Sequence, residues 1–414
     1  MTVRGFKDRA AELGTYSGTA SRQDQRLVDS ISVLDPEWEV FSMDVGKAFA
    51  KGMTFAELSE MTGKPMRNVE FHLSGEDLEI LRSIPGFEDY NPNLEVLEMI
   101  KPIYGLKDAP RAWRIKLDRV LRSWQLKGSS GLKPLKAAPE IYVAHSMEEA
   151  VRPSQISSVE KVLLENARQT GDFNEGSAKS QAIQEEIWTL TKVRTLLIIL
   201  STHVDDMNGA SKKRVAEDIV KHIISTVGDC SCEFNTFAHT GVQHEHTPGT
   251  HYTHQRPYIQ QLRPIDANKL KGKDDSDTAD AELHADYMSL LGGLAWTILT
   301  RAEACVYIQA LQRHNHCPTV AECRRLNLVL RYIRKVQSGV LFRHIRHPLK
   351  LVGMSDAAFK AQPDEGSGLA LRGLITLLMD EDKEGPSSKS GTVHLLDWLT
   401  RRIRRVVRST FSAE

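Results

Sequence analysis

Short apolar runs occur at several places in this chain, and some of them end on an aspartate. The run WEVFSMDV within residues 38–49 predicts a strand that ends near Asp44. TLLIIL at 195–200 predicts a second, buried strand, and Asp205 and Asp206 follow it in a turn. If these strands are neighbours in one sheet, three carboxylates meet at one of its edges.

Helical patterns alternate with these strands. Residues 101–124 begin as a loop marked by proline and glycine and continue as an amphipathic helix. The apolar face of that helix consists of Trp113, Leu117, Val120 and Leu121. A helix is expected to restart after Ser211, residues 285–336 are helical by periodicity, and residues 349–359 return to a strand that ends on Asp356. Helices and strands in this order predict an α+β fold.

Polar segments separate the patterned regions. Residues 51–95 resemble an insertion with two helical patches, and residues 127–186 predict partial disorder around a short helix. The charged run at 269–282 indicates a domain boundary.

Composition narrows the function classes only slightly. The chain has 414 residues, 54 basic and 54 acidic, which is enough for two or three domains but gives no overall charge to attract nucleic acid. One basic segment contains Arg401, Arg402, Arg404, Arg405 and Arg408. It fits either a phosphate-binding surface or the solvated face of an amphipathic element.

The five cysteines lack the paired spacing of a disulfide framework, which favours a reducing, intracellular setting. Cys317 and Cys323 lie near His314 and His316, but such residues on a helical stretch are more often structural, so no zinc is assigned to them. No apolar run reaches the length of about 18 residues that spans a bilayer, so we expect a soluble chain without a membrane partner.

The three aspartates are the strongest chemical signal. Hard carboxylate oxygens suit two Mg²⁺ ions, which is the arrangement that nucleotidyl transfer requires. An isolated pair such as Asp205 and Asp206 is nevertheless most often a solvated turn.

The flanking residues strengthen this interpretation, because the sequence resembles copia-type retrotransposon Pol polyproteins over nearly its whole length. VFSMDVGKAFAKG resembles the first catalytic motif of the family's reverse transcriptase, KPIYGLKDAPRAW its Y-G-L-K-Q-A-P-R-x-W segment, and LSTHVDDM its Y-V-D-D box. Further segments resemble later motifs of the family and follow in the family's order. They are TGVQ with THQRPYIQQL, YMSLLGGLAW with LRYIR, and GMSDAAF and RSTFSAE of the RNase H region.

The resemblance implies an RNA-directed DNA polymerase that uses two Mg²⁺ or Mn²⁺ ions, with Asp44, Asp205 and Asp206 as catalytic metal ligands. Its partners would be an RNA template, a DNA primer, the RNA–DNA hybrid and deoxynucleoside triphosphates, together with other polyprotein parts such as integrase and capsid. An active element would work in a cytoplasmic particle or in the nucleus.

Five further residues match substrate-binding positions of the family: Phe49, Lys107, Pro110, Arg111 and His203. Phe49 corresponds to the aromatic residue beside the incoming sugar, although a packing role is the alternative. Lys107, Pro110 and Arg111 correspond to the template- and nucleotide-positioning segment, and the alternative is that they brace the following helix.

The implied architecture is a polymerase palm and thumb with incomplete fingers over 1–265, a charged linker over 266–284, a helical connection over 285–345 and the N-terminal part of an RNase H-like mixed-sheet domain over 346–414. Asp356 and Glu414 match the first two RNase H carboxylates. Because the remaining carboxylates are not present, RNase H activity is not expected.

Two departures from the family pattern bear on activity. The family tyrosine of the Y-V-D-D box is His203, and the family glutamine of the loop is Asp108, whose negative charge is unfavourable near a triphosphate. Two alternatives to an active polymerase therefore remain: a catalytically inactive remnant that retains the fold, and a nucleic-acid-binding scaffold.

Overall fold

The structure is a computed structural model that describes residues 15–71, 73, 75–151, 192–346, 348–358, 371–380 and 392–402. In these residues the helices pack on antiparallel sheets, so the fold is α+β, as the sequence predicted. None of the described helices is long and apolar enough to cross a membrane.

The described chain forms ten α-helices and fifteen strands, together with 3-10 turns at Ala48–Lys51 and Ala302–Ala304. The helices are α1 Arg22–Ser32, α2 Phe55–Thr62, α3 Glu76–Arg82, α4 Ala109–Ser123, α5 Lys213–Val227, α6 Arg256–Gln261, α7 Ala267–Leu270, α8 Ala281–Thr297, α9 Cys305–Gln312 and α10 Val320–Lys335. The strands are β1 Trp38–Val45, β2 Glu70–Phe71, β3 Leu97–Glu98, β4 Lys133–Pro134, β5 Ile141–Val151, β6 Lys192–His203, β7 Asp206–Lys212, β8 Cys230–Phe234, β9 Thr236–His239, β10 Val242–Thr247, β11 Thr250–His254, β12 Val340–Arg343, β13 Leu349–Ala358, β14 Leu371–Asp380 and β15 Val393–Arg402.

The main sheet has six antiparallel strands in the order β4-β5-β6-β7-β1-β8. Side chains alternate between its faces: Phe41 and Met43 pack with residues of α4 and α5, whereas Val40 on the opposite face packs with Val28 of α1. The sheet therefore lies between two apolar layers, and the end of β1 carries its aspartate past the core.

Strand β5 lies inside the segment that we expected to be partly disordered. It pairs with β6, and its residues Ile141, Tyr142 and Ala144 are fully buried. This apolar run is short and stands among polar residues, so its pairing partner rather than its own pattern determines its conformation. The part of this segment from 152 onward lies outside the described residues.

A helical unit follows the main sheet, and its core includes Ile259, Tyr287, Ile308 and Leu326. The charged run at 269–282 is tied to this unit, because Ala279 N–H donates to the Pro318 carbonyl at 2.9 Å. Strands β9 to β12 form a separate antiparallel sheet in the order β12-β11-β10-β9.

The described strands of the last sheet, β13-β14-β15, are all antiparallel, and the expected mixed sheet of an RNase H-like domain stays a prediction. This sheet contacts α1: the Arg26 guanidinium lies 3.5 Å from the ring centroid of Trp398 and 3.3 Å from Asp397 Oδ1. Long-range packing of this kind has no signature in the local sequence.

Candidate active site

Asp44 and Asp206 lie directly opposite each other on neighbouring antiparallel strands. Their Cα atoms are register partners between β1 and β7, and Val45 N–H donates to the Asp205 carbonyl at 3.3 Å. Residues directly opposite in an antiparallel pair project to the same face of the sheet. The structure therefore brings Asp44 to the Asp205–Asp206 pair, which is distant from it in sequence, at one end of the sheet.

The electrostatics of this end reflect carboxylates that repel one another. Burial raises the pKa of Asp206 to about 6, and the charges of Asp205 and Asp44 add to the shift. Burial also raises the pKa of Asp44, with further contributions from Asp205 and Asp229. Like charges directly opposite on a sheet are destabilising, so this end of the sheet favours a cation or a proton.

A two-residue turn, Val204 and Asp205, connects β6 to β7. Val204 has a φ of 60°, which is rare for a β-branched residue. Positive φ at the first central position is typical of a type II′ hairpin, where glycine is the usual residue. The indole Nε1–H of Trp113 donates to the Val204 carbonyl at 2.7 Å, so helix α4 holds this strained turn.

Helix α4 is also close to the chain that follows Asp44. A Cβ atom on Gly52 would lie 3.1 Å from the backbone nitrogen of Trp113, and Met53 N–H donates to the Ala112 carbonyl at 3.3 Å. The absence of a side chain at Gly52 permits this approach. Three segments distant in sequence thus meet around Trp113.

Two curated proteins of Arabidopsis thaliana are similar to the whole chain. The retrovirus-related Pol polyprotein from transposon RE2 is 21% identical over 434 aligned residues, and that from transposon RE1 is 20% identical over 420. Each alignment covers 100% of this chain and 23% of the relative. The chain resembles retrotransposon Pol polyproteins along its full length. No family model matches this Pol-like chain, and no solved structure matches it.

The nucleotide-binding candidates of the Pol-like chain lie on two adjacent segments. Phe49 is half-buried, and its ring centroid lies 4.7 Å from that of Tyr104 in the loop before α4. Lys107 is exposed in the same loop, and Pro110 and Arg111 are half-buried in the first turn of α4. Contact with Phe49 therefore joins the segment after Asp44 to the loop.

Asp108 does not face solvent as an isolated charge. It is buried, and its Oδ2 lies 2.8 Å from Nη1 of Arg67, a residue of the 51–95 segment. An opposite charge at this distance offsets the repulsion that an acid at this position would exert on a phosphate. The 51–95 segment thus supplies a cation next to Asp108.

His203 ends β6 opposite Asp206 and also forms an antiparallel bridge with Thr19. Burial lowers its pKa, which favours the neutral imidazole. A neutral ring at this position adds no positive charge beside the aspartates.

Of the two RNase H candidates, the structure describes Asp356 but not Glu414. Asp356 lies within β13 and pairs with Gly373 of β14, and its Oδ1 accepts the N–H of Ala357 at 2.8 Å. Glu414 lies outside the described residues, as do Arg404, Arg405 and Arg408 of the basic segment. Arg401 is exposed on β15.

Sequence reasoning missed two charged neighbours of Asp44. Asp229 precedes β8, and its carbonyl accepts the N–H of Gly46 at 3.1 Å and the Nζ of Lys51 at 2.9 Å. The position of Asp229 just before a strand was the available signal. The added acid increases the negative charge at this end of the sheet, and Lys51 partly offsets it.

Proposed function

We propose that this chain is the polymerase region of a copia-type retrotransposon Pol protein, which adds deoxynucleotides to a DNA primer on an RNA template. The observation that carries the proposal is the direct cross-strand pairing of Asp44 with Asp206, with Asp205 in the adjoining turn. The full-length similarity to retrotransposon Pol polyproteins supports the same substrate class.

The charge arrangement fits divalent cations. The site has two opposed carboxylates and a third in the turn, and the pKa values of Asp44 and Asp206 are raised. Bound positive charge would stabilise such a site. Asp44, Asp205 and Asp206 would hold two Mg²⁺ or Mn²⁺ ions, which when bound activate the primer 3′-hydroxyl and neutralise charge on the leaving pyrophosphate. Because carboxylates bind cations when ionised, Asp206 must lose its proton.

The neighbouring residues would bind the substrates. Phe49, supported by Tyr104, would contact the incoming sugar, and exposed Lys107 would attract its phosphates. Pro110 and Arg111 would position the template at the start of α4. His203, next to Asp206, would lie beside the primer end. Within the last sheet, Asp356 would correspond to an RNase H carboxylate facing an RNA–DNA hybrid.

The test is primer extension by the purified chain on an RNA template with Mg²⁺. We expect extension by the wild type and none by Asp205→Asn or Asp206→Asn, since each removes a ligand charge. Asp35→Asn is the matched control, because Asp35 lies near the opposite end of the same strand pair, 3.7 Å from Lys212 Nζ. Extension that persists in both site variants would refute the assignment, and a folded wild type without extension would favour the inactive-remnant alternative.

A further inference from the structure

A group of buried histidines and one buried aspartate lies where α1 meets the β10–β11 hairpin. Asp29 belongs to α1, and His244 and His251 belong to the β10–β11 hairpin. Asp29 and His244 are each 3% exposed, and His251 is fully buried. Among the described residues, this is the one group of three metal-ligating side chains whose ligand atoms all lie within 4.8 Å of one another.

The three ligand atoms form a compact triangle. Asp29 Oδ1 lies 3.4 Å from His244 Nδ1 and 3.3 Å from His251 Nε2, and the two nitrogens are 3.0 Å apart. With zinc bond lengths of about 2.0–2.1 Å, the edge of a tetrahedron measures about 3.3 Å. The triangle therefore has the dimensions of one face of a tetrahedral zinc site.

The hydrogen bonds around the triangle determine which nitrogens carry protons. His246 Nε2 lies 3.0 Å from the Trp38 carbonyl, which can only accept, so His246 Nε2–H donates. His246 Nδ1 is then an acceptor, and His251 Nδ1–H donates to it at 3.2 Å. His251 Nε2 is left with a lone pair that faces Asp29 Oδ1, as in metal sites where a ligand histidine is oriented by its other nitrogen.

In this arrangement the Oδ1 atom of Asp29 is buried and accepts no hydrogen bond. The two ring nitrogens nearest to this oxygen, His244 Nδ1 and His251 Nε2, lie 3.4 Å and 3.3 Å from it. A proton on His244 Nδ1 has its shorter contact with His251 Nε2. A buried carboxylate without compensation is costly, whereas one divalent ion would satisfy all three ligand atoms.

We propose that Asp29, His244 and His251 bind one zinc ion that fastens α1 to the β10–β11 hairpin. Two imidazole nitrogens and one carboxylate oxygen are a donor set that suits zinc, and the burial of all three residues shields the site from solvent. Three protein donors leave one tetrahedral position for a water molecule or for the second Asp29 oxygen. The proposal is independent of polymerase activity.

The test measures metal content of the full chain after dialysis against metal-free buffer. We expect about one zinc ion per chain for the wild type. In Asp29→Asn and in His251→Gln we expect zinc affinity to fall by about tenfold or more. His254→Gln is the matched control: His254 lies on the same strand, but its ring contacts Glu245 Oε1 at 3.0 Å, so its zinc content should be unchanged. Equal zinc in the wild type and both ligand variants, or a folded wild type without zinc, would overturn the proposal.

A second measurement needs no ligand variant and so does not depend on whether those variants fold. Co²⁺ added to the metal-free wild type should give the visible absorption of a tetrahedral nitrogen and oxygen site, without the charge-transfer band of a thiolate. The same spectrum in Asp205→Asn would separate this site from the carboxylate turn. A thiolate band would instead assign the metal to a cysteine, and absence of tetrahedral absorption would refute the site.

Discussion

Trp113 Nε1 donates a 2.7 Å hydrogen bond to the backbone carbonyl of Val204, 91 positions later in the chain. Trp113 is fully buried, and Val204 directly precedes the Asp205–Asp206 pair. The bond therefore connects helix α4 to the turn that carries two of the three proposed metal ligands. Its consequence is that the position of these carboxylates depends on a residue that contacts no substrate in the proposed mechanism.

Trp113→Phe should reduce primer extension, because phenylalanine keeps an aromatic ring but cannot donate to the Val204 carbonyl. Leaving that carbonyl without its donor costs about 1–3 kcal/mol, and we expect extension to fall by about tenfold or more. Extension rates and thermal unfolding of the variant test this expectation.

Trp124→Phe is the control, since Trp124 is also buried on the end of α4 and its Nε1–H donates to Asp218 Oδ2 at 2.8 Å. We expect it to lose comparable stability while keeping extension. If both variants lose extension equally, Trp113 stabilises the fold without positioning the turn.

Replacement of Val204 should reverse the usual ranking of glycine and alanine. Both substitutions remove the valine side chain, but only glycine adopts a φ of 60° without steric cost. We expect Val204→Gly to be more stable than Val204→Ala by about 1 kcal/mol. Chemical denaturation of the two variants measures the difference, and an alanine variant that is more stable would show that the turn relaxes.

The Arg67–Asp108 ion pair should show strong coupling. Arg67→Met leaves Asp108 buried without its cation, and we expect a loss of about 2–3 kcal/mol, below the values of about 3–5 kcal/mol for fully buried pairs, because Arg67 is partly exposed. Arg67→Met combined with Asp108→Asn should recover much of that stability. A double-mutant cycle of unfolding free energies measures the coupling, and additive effects would contradict a functioning ion pair.

The protonation of Asp206 should make stability depend on pH in a metal-free buffer. Its folded pKa of about 6 lies above the ordinary aspartate value of 3.8, so the folded chain binds more protons than the unfolded chain between these values. Asp206 therefore contributes stability at low pH that is lost as the pH rises through about 6. With a chelator present, the free energy of unfolding of the wild type should fall relative to Asp206→Asn over this interval, and parallel curves would show that Asp206 has an ordinary pKa.

The sequence by itself determined much of the local structure. The apolar run of β1, the amphipathic face of α4 and the helical periodicity of residues 285–336 predicted these elements, because each element buries its apolar side chains. The motif resemblance selected Asp44, Asp205 and Asp206 as candidates. Strand β5 was missed because its short apolar run becomes a strand through pairing with β6.

Only the tertiary structure decided which distant residues meet. Strand register sets Asp44 opposite Asp206, and the fold brings Trp113 to Val204. Packing of α1 on the hairpin brings Asp29 to His244 and His251. Such contacts depend on how layers pack, and a local pattern does not encode the partner across the sheet or across the core. For the same reason the Arg67 that balances Asp108 is visible only in the folded chain.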